Sequence, residues 1–503
     1  MVCRHEQNAA FIAGGIGRMT GKPALRSSRR GRASPISSPG SRRPTPRATR
    51  SWRSAARVAT AETLKQIHQT MDSVSLCKPV TKFSASVASP EAVAEVVSNA
   101  FRAAESGRPG AAFVSLPRDI MAAPRPGTPA RPAVLFRPGP ASGTAIAEAG
   151  RLISKAANPV VLLGLLASSP THAAAIREFI EATRLAVVGT FQAAGAVGAH
   201  LMSSFGGRVG QLANQPADRL LEAADLIITI GYDSVEYDPS IWNKSNDRPV
   251  IHIDVIPADL DNCYAPAVEL TGDIAQTLQV LTPLAGRAHK PALSESLLQD
   301  IEKQRRALNE DAAARSGRPI HPLRLAFELQ EFLGPDVTMC LDMGSFHLWL
   351  ARHVYSFRTR QVLISNGQQT LGVALPWAIA ASLVRPAEKV LSISGDGGFL
   401  FSAMELETAV RLKCNIVHMI WIDGSYDMVG VQEVLKYGRK SGVDLGPYDP
   451  VKYAEAFGAT GMTIEGPRGQ RAFDTPGPVI IGVKVDYSDN HKLFEMVDPN
   501  GFH

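Results

Sequence analysis

Short apolar runs of strand length alternate with segments of helical period along most of the chain. The pattern is clearest from Lys389 onward. Lys389-Val-Leu-Ser-Ile-Ser394 is an apolar run, Gly395-Asp396-Gly397-Gly398 a glycine turn, and Met404, Leu406, Ala409, Val410 and Leu412 keep helical spacing. A second apolar run, Asn415 to Ile422, ends at Asp423. This spacing predicts strand, turn, helix, strand. Pro159–Gly164, Ala186–Thr190, Leu226–Gly231 and Val250–Asp254 are β-branched runs set between helical patterns, which predicts a parallel, doubly wound sheet. The first 21 residues predict a helix rich in small residues. Pro90 and Glu91 open another, Gly110–Pro117 reads as a short buried strand, and Gly477–Tyr487 as the last strand. Residues 274–320 are polar and helical, a crossing to a unit that begins near His321-Pro322-Leu323. The fold class expected is α/β, with three doubly wound domains over residues 1–120, 144–285 and 310–490. A Pro, Ala and Arg-rich linker occupies 121–143.

The pattern fails in one place. From Lys22 to Arg57 the chain has eleven Lys or Arg, no Asp or Glu, and no apolar period. Arg, Ser, Pro and Ala cannot bury enough surface to offset ordering entropy, so residues 22–59 are expected to be disordered. Removing those eleven cations takes the net charge from +6 to −5. The basicity is local, which argues against a distributed nucleic-acid face. At 503 residues the chain exceeds one core. It contains no run long enough to span a membrane, and Met1-Val-Cys-Arg-His-Glu6 lacks the pattern of a secretory signal. Cys3, Cys77, Cys263, Cys340 and Cys414 are scattered without a CxxC pair, which suits free thiols in a cytoplasmic protein.

The chemistry gathers at strand ends. In a parallel sheet Asp396 and Asp423 fall at the carboxyl ends of strands, where such sheets bind ligands. The glycines let a diphosphate approach backbone N–H groups. Two carboxylates beside a diphosphate suit a hard cation, most simply Mg²⁺. A bare Gly-Asp-Gly is weak evidence, since turns use it constantly.

Its context is more specific. Gly395-Asp-Gly-Gly-Phe-Leu-Phe-Ser-Ala-Met-Glu-Leu-Glu-Thr-Ala-Val-Arg411, with an acidic residue 27 positions after Asp396, resembles the thiamine-diphosphate motif of the acetolactate synthase family, particularly its catabolic, flavin-independent branch. Arg4-His-Glu-Gln-Asn-Ala-Ala-Phe11 resembles the family's segment bearing the glutamate that hydrogen-bonds the aminopyrimidine ring. The resemblance implies condensation of two pyruvates to 2-acetolactate with loss of CO2 on a thiamine-diphosphate carbanion. It implies a pyrimidine-binding, a central and a diphosphate-binding domain, in that order, and at least a homodimer, extending to a homotetramer. It implies Glu6, Gln69 and Gln432 as catalytic residues. Gly344, Ser345, Phe346, Gln369, Leu371, Gly395, Asp396, Gly397, Gly398, Ser425, Tyr426 and Met428 would contact the cofactor, and Asp396, Asp423 and the Ser425 carbonyl would hold the metal. Leu371 stands where the family usually has Met, the wedge that bends the cofactor. Phe191–Gly195 and Tyr232–Tyr237 resemble the flavin-free branch, and no dinucleotide fingerprint is present, so no FAD is expected.

Two stretches depart from the family. The chain begins near its conserved glutamate, so the first domain is expected to be truncated. Residues 22–59 replace a strand, a Ser-Gly-Pro-Gly turn, a helix and a strand with text resembling translation in a shifted frame. Glu465–Pro476 stands where a full helix is expected. A poorly packed first domain and weak activity are the expectation. Another thiamine-diphosphate decarboxylase or ligase, and an inactive relic of the family, remain open.

Overall fold

The computed structural model describes residues 1–28, 51–67, 70–124, 137–286, 291–365, 367, 369–464 and 470–493, with backbone alone at 26–28 and 51–57. Three parallel sheets organise these residues. The first takes β1 (Ala24–Ser28), β2 (Ser51–Arg57), β3 (Phe83–Ser86) and β4 (Ala111–Pro117) in the order β1-β2-β4-β3. The second takes β5 (Pro159–Leu163), β6 (Ala186–Thr190), β7 (Phe205–Val209), β8 (Leu226–Ile230), β9 (Val250–Asp254) and β10 (Val268–Thr271) in the order β10-β9-β8-β5-β6-β7. The third takes β11 (Val337–Leu341), β12 (Val362–Ile364), β13 (Lys389–Gly395), β14 (Ile416–Ile422), β15 (Thr460–Thr463) and β16 (Val479–Lys484) in the order β12-β11-β13-β14-β16-β15. Helices on the sheet faces make the units doubly wound. Those used below are α1 (Glu6–Thr20), α2 (Val93–Glu105), α3 (Ala292–Ala314), α4 (Ser345–His353), α5 (Ala374–Val384) and α6 (Asp427–Tyr437).

The apolar runs explain the second and third sheets. β5, β6, β8 and β9 are buried along their whole length, and β13 and β14 are buried except at their ends. Strands covered on both faces need such continuous apolar sequence. The segment after β13 is a short helix, Asp396–Leu400, a 3-10 turn, Ala403–Glu405, and a second helix, Leu406–Arg411, rather than one continuous helix. The break falls at Phe401–Ser402, where Ser402 leaves helical geometry.

The expectation that 22–59 lacks order is corrected at two places. Ala24–Ser28 and Ser51–Arg57 are strands, with Ala24–Ser28 paired to Ser51–Ala55, and Ser51–Arg57 paired to Ala111–Pro117. A ladder is built from backbone N–H and C=O groups, which Arg and Ser supply as well as Val does. The buried strand β4 offers the template. Residues 29–50 lie outside the described residues, as do 125–136 of the expected linker.

Among the described residues, the buried side chains of helix α1 belong to the core of the third unit. Phe11, Ile12 and Met19 are buried in one cluster with Leu375, Ile379, Phe399, Leu406 and Ile420 of the third unit. Gly15 sits so close to α5 that a Cβ there would lie 2.9 Å from the Ala380 Cβ. The first sheet's own described core is small: Val87, Ala100, Ala104, Ala112, Val114 and Ile120, between α2 and the pair β3/β4.

Candidate functional site

Strands β11, β13 and β14 are neighbours, so the loops leaving their carboxyl ends lie side by side. β11 delivers Asp342, Gly344, Ser345 and Phe346. β13 delivers Gly395, Asp396, Gly397 and Gly398. β14 delivers Asp423, Ser425, Tyr426 and Met428. Asp396 is buried. Its Oδ1 accepts from Gly397 N at 2.9 Å and its Oδ2 from Gly424 N at 2.8 Å, which ties the β13 and β14 loops together. The ring of Tyr426 covers Gly397, where a Cβ would lie 2.5 Å from it. Tyr448 Oη donates to the Asp396 carbonyl at 3.1 Å.

The carboxylates are electrostatically strained. Burial raises Asp396 above the usual carboxylate range, against the pull of the Gly424 and Gly397 N–H groups. Burial pushes Asp423 up to about 7; the Ser425 hydroxyl opposes this, while Asp396 and Asp427 add to it. Asp396 and Asp427 both lie within electrostatic reach of Asp423, and like charges so placed disfavour ionisation. Two of them at adjacent strand ends beside a glycine turn fit Mg²⁺, which is commonly bound by one or two carboxylates plus phosphate oxygens. The described residues include no cluster of three or more His, Cys, Asp or Glu able to hold a metal.

Gln369 and Leu371 lie on the loop between β12 and α5. Gln369 adopts a left-handed backbone with φ 48° and is exposed, and Leu371 is half-buried. Gly372 is also left-handed, and its N–H donates to Asp342 at 2.9 Å. Gln432 is half-buried on α6. Glu6 is the exposed first residue of α1. Gln69 lies outside the described residues.

Three residues of this region were not anticipated as site residues, although Glu405 falls inside the Gly395–Arg411 run. Asp342 is buried and pushed up to about 7 by burial, against N–H groups of Met343, Gly372, Val373 and Ala374. It fastens the start of α5 to the end of β11. Asp427 accepts from the Ser345 hydroxyl and from Asn490 Nδ2, which binds α6 to α4 and to the last described turn. Glu405, fully buried, accepts from the backbone N–H groups of Arg4 at 2.8 Å and His5 at 3.0 Å. The available signal was position: an acid directly after a strand, or in the first turn of a helix.

The chain is a thiamine pyrophosphate enzyme by its family matches. Residues 342–483 match the thiamine pyrophosphate enzyme C-terminal TPP binding domain, and residues 146–281 match the central domain of the same enzymes. Within that class the chain belongs to the acetolactate synthase family. It is 47% identical to the catabolic acetolactate synthase of Raoultella terrigena, over 97% of this chain and 89% of that one. It is 44% identical to an acetolactate synthase of Bacillus subtilis, over 100% of this chain and 89% of that one. Identity to the large subunit of acetolactate synthase isozyme 1 of Escherichia coli is 27%, over 99% and 89%.

Proposed function

We propose that the protein condenses two molecules of pyruvate to 2-acetolactate and CO2, using thiamine diphosphate and Mg²⁺ at the carboxyl edge of the third sheet. The carrying observation is the Asp396–Asp423 pair on adjacent strand ends beside Gly395–Gly398, in a chain 47% identical to a catabolic acetolactate synthase. When bound, thiamine diphosphate supplies the nucleophilic carbon that adds to the pyruvate carbonyl and takes up the electrons released on decarboxylation. Asp396, Asp423 and the Ser425 carbonyl hold Mg²⁺ against the diphosphate. Gly397 and Gly398 let it approach the backbone, and Gly344, Ser345, Phe346, Gln369, Tyr426 and Met428 line its path. Leu371 supplies the apolar wedge. The Glu6 carboxyl would hold a proton toward the aminopyrimidine ring of the bound cofactor. Gln69 and Gln432 face the substrate, orienting the pyruvate carboxylate.

No flavin is used. The crevice at the carboxyl ends of β5 and β8 is filled by Glu236, which accepts from Leu165 N at 3.0 Å and from Thr190 Oγ1 at 2.6 Å. Beside it Asp233 and Asp254 pair with Arg108. A pyrophosphate placed there would meet buried carboxylates. A homodimer or homotetramer is supported by apolar side chains exposed beside the site: Leu400, Phe401, Val429, Val434, Leu435 and Tyr437. The five cysteines are free thiols, in keeping with the cytoplasm, and no described helix is long and apolar enough to cross a membrane.

Product analysis tests the proposal. With pyruvate, Mg²⁺ and thiamine diphosphate, one 2-acetolactate should form for each CO2 released. Acetaldehyde as the main product, or binding of the cofactor without turnover, would contradict it.

A further inference from the structure

We infer that Glu405 is a positioning residue for Glu6; the inference rests on the reading that Glu6 faces the cofactor. Glu405 lies nine positions after Asp396, in the 3-10 turn of the third unit, and its side chain is fully buried. Its Oε1 accepts from Arg4 N at 2.8 Å, from His5 N at 3.0 Å and from Asn8 Nδ2 at 3.4 Å. Its Oε2 accepts from Thr408 Oγ1 at 2.7 Å. The peptide that carries Glu6 is therefore held on both sides by one carboxylate of the unit that carries Asp396.

These bonds exceed what capping a helix requires. His5 already caps α1 through Nδ1, which accepts from Gln7 N at 3.2 Å. A buried carboxylate is costly unless it is fully bonded, and a neutral acceptor would satisfy the same N–H groups at lower cost. A charge there strengthens each bond and meets the positive end of α1. It also fixes Asn8: the amide must turn Nδ2 toward Glu405, which leaves its buried Oδ1 without a hydrogen-bond partner. The flanking contacts add reach rather than aim. Arg411 donates to the Val2 carbonyl, and Arg4 pairs with Glu407 at 3.2 Å. Glu6 itself stays exposed at the lip of this anchored segment. The result is an anchored N-terminal segment that carries Glu6, the arrangement that proton transfer to a positioned ring requires.

The experiment compares Glu405→Asp, Glu405→Gln and Glu6→Gln in the full chain. Glu405→Asp keeps the charge and the Thr408 bond but withdraws Oε1 from Arg4 and His5. It should lower kcat roughly 10- to 100-fold, leave KM for pyruvate and the affinity for thiamine diphosphate with Mg²⁺ unchanged, and speed amide exchange at Arg4 and His5 in the cofactor-free protein. Glu405→Gln can keep its carbonyl toward Arg4 and His5 while its amide donates to Thr408, with weaker uncharged bonds, so it should recover part of the kcat that Glu405→Asp loses. Wild-type kcat in Glu405→Asp, unchanged amide exchange, parallel loss of cofactor affinity, or failure of Glu405→Gln to rescue would each overturn the inference. Glu6→Gln separates the two claims: if it retains full turnover, the reading of Glu6 itself is wrong, whatever the Glu405 variants do.

Discussion

The first and third sheets share a parallel layout but are supported in different ways. Strand β14, Ile-Val-His-Met-Ile-Trp-Ile, is interior and apolar, and β13 beside it is buried from Val390 to Ser394. Strand β2, Ser-Trp-Arg-Ser-Ala-Ala-Arg, is also interior, between β1 and β4. Interior parallel strands are normally near-continuous apolar runs. β2 satisfies the backbone ladder while its sequence conflicts with the position, a mismatch of local and global preference. The comparison teaches that strand pairing and core formation are separable, and that the site depends on the second. Asp396 and Asp423 stand on the well-buried sheet. Glu6 is tied to the same unit, because α1 buries Phe11, Ile12 and Met19 in the third unit's core.

The largest effect expected is at the metal pair. Asp396→Ala should abolish Mg²⁺-dependent binding of thiamine diphosphate, read by calorimetry, while the protein stays folded. Cofactor affinity equal to the parent's would remove the assignment. Next comes the apolar floor beneath it: Ile393→Ala, at a fully buried position, should destabilise the third unit by roughly 2–5 kcal/mol in urea unfolding.

A pH effect of similar or smaller size is expected in the central sheet. Glu236 is buried beneath Thr190 and Asp233, with Arg108 and Arg18 within electrostatic reach. Burial pushes it up to about 7 from 4.5, with Asp233 adding to the rise and Thr190 and Arg108 opposing it. The folded protein thus keeps a proton that the unfolded chain loses near 4.5. Stability should fall as pH rises from there through about 7 and then level off, by about 3 kcal/mol in all. Glu236→Gln should make that fall shallower in melts of the cofactor-free protein between pH 5 and 7.5, leaving the share that Asp342 and Asp423 contribute. The smallest effect belongs to the first sheet's edge. Leu25 on β1 is 58% exposed, and Leu25→Ala should change stability by about 0.5 kcal/mol or less. A loss comparable with that of Ile393→Ala would erase the contrast.

Much of this was legible in the sequence. The β-branched runs marked the second and third sheets because double-sided burial demands them, and Gly395–Gly398 with Asp423 marked the site because strand ends and glycine turns have a fixed spatial meaning. Strands β1 and β2 were illegible for the opposite reason: their pairing rests on backbone groups, which composition does not encode. Asp342, Asp427 and Glu405 were missed because each works through a long-range hydrogen bond, to Gly372, Ser345 and Arg4 respectively, that no local spacing reveals. The docking of α1 on α5 was hinted at only by its small residues, of which Gly15 proved to be the point of closest approach.

Amide hydrogen exchange on the cofactor-free protein, resolved by segment, tests most directly whether the site residues share one core. The account predicts slow exchange in α1, β13 and β14 together, opening in one cooperative step, and much faster exchange in β1 and β2. Exchange of α1 in step with β2, or protection of β2 equal to that of β14, would contradict it.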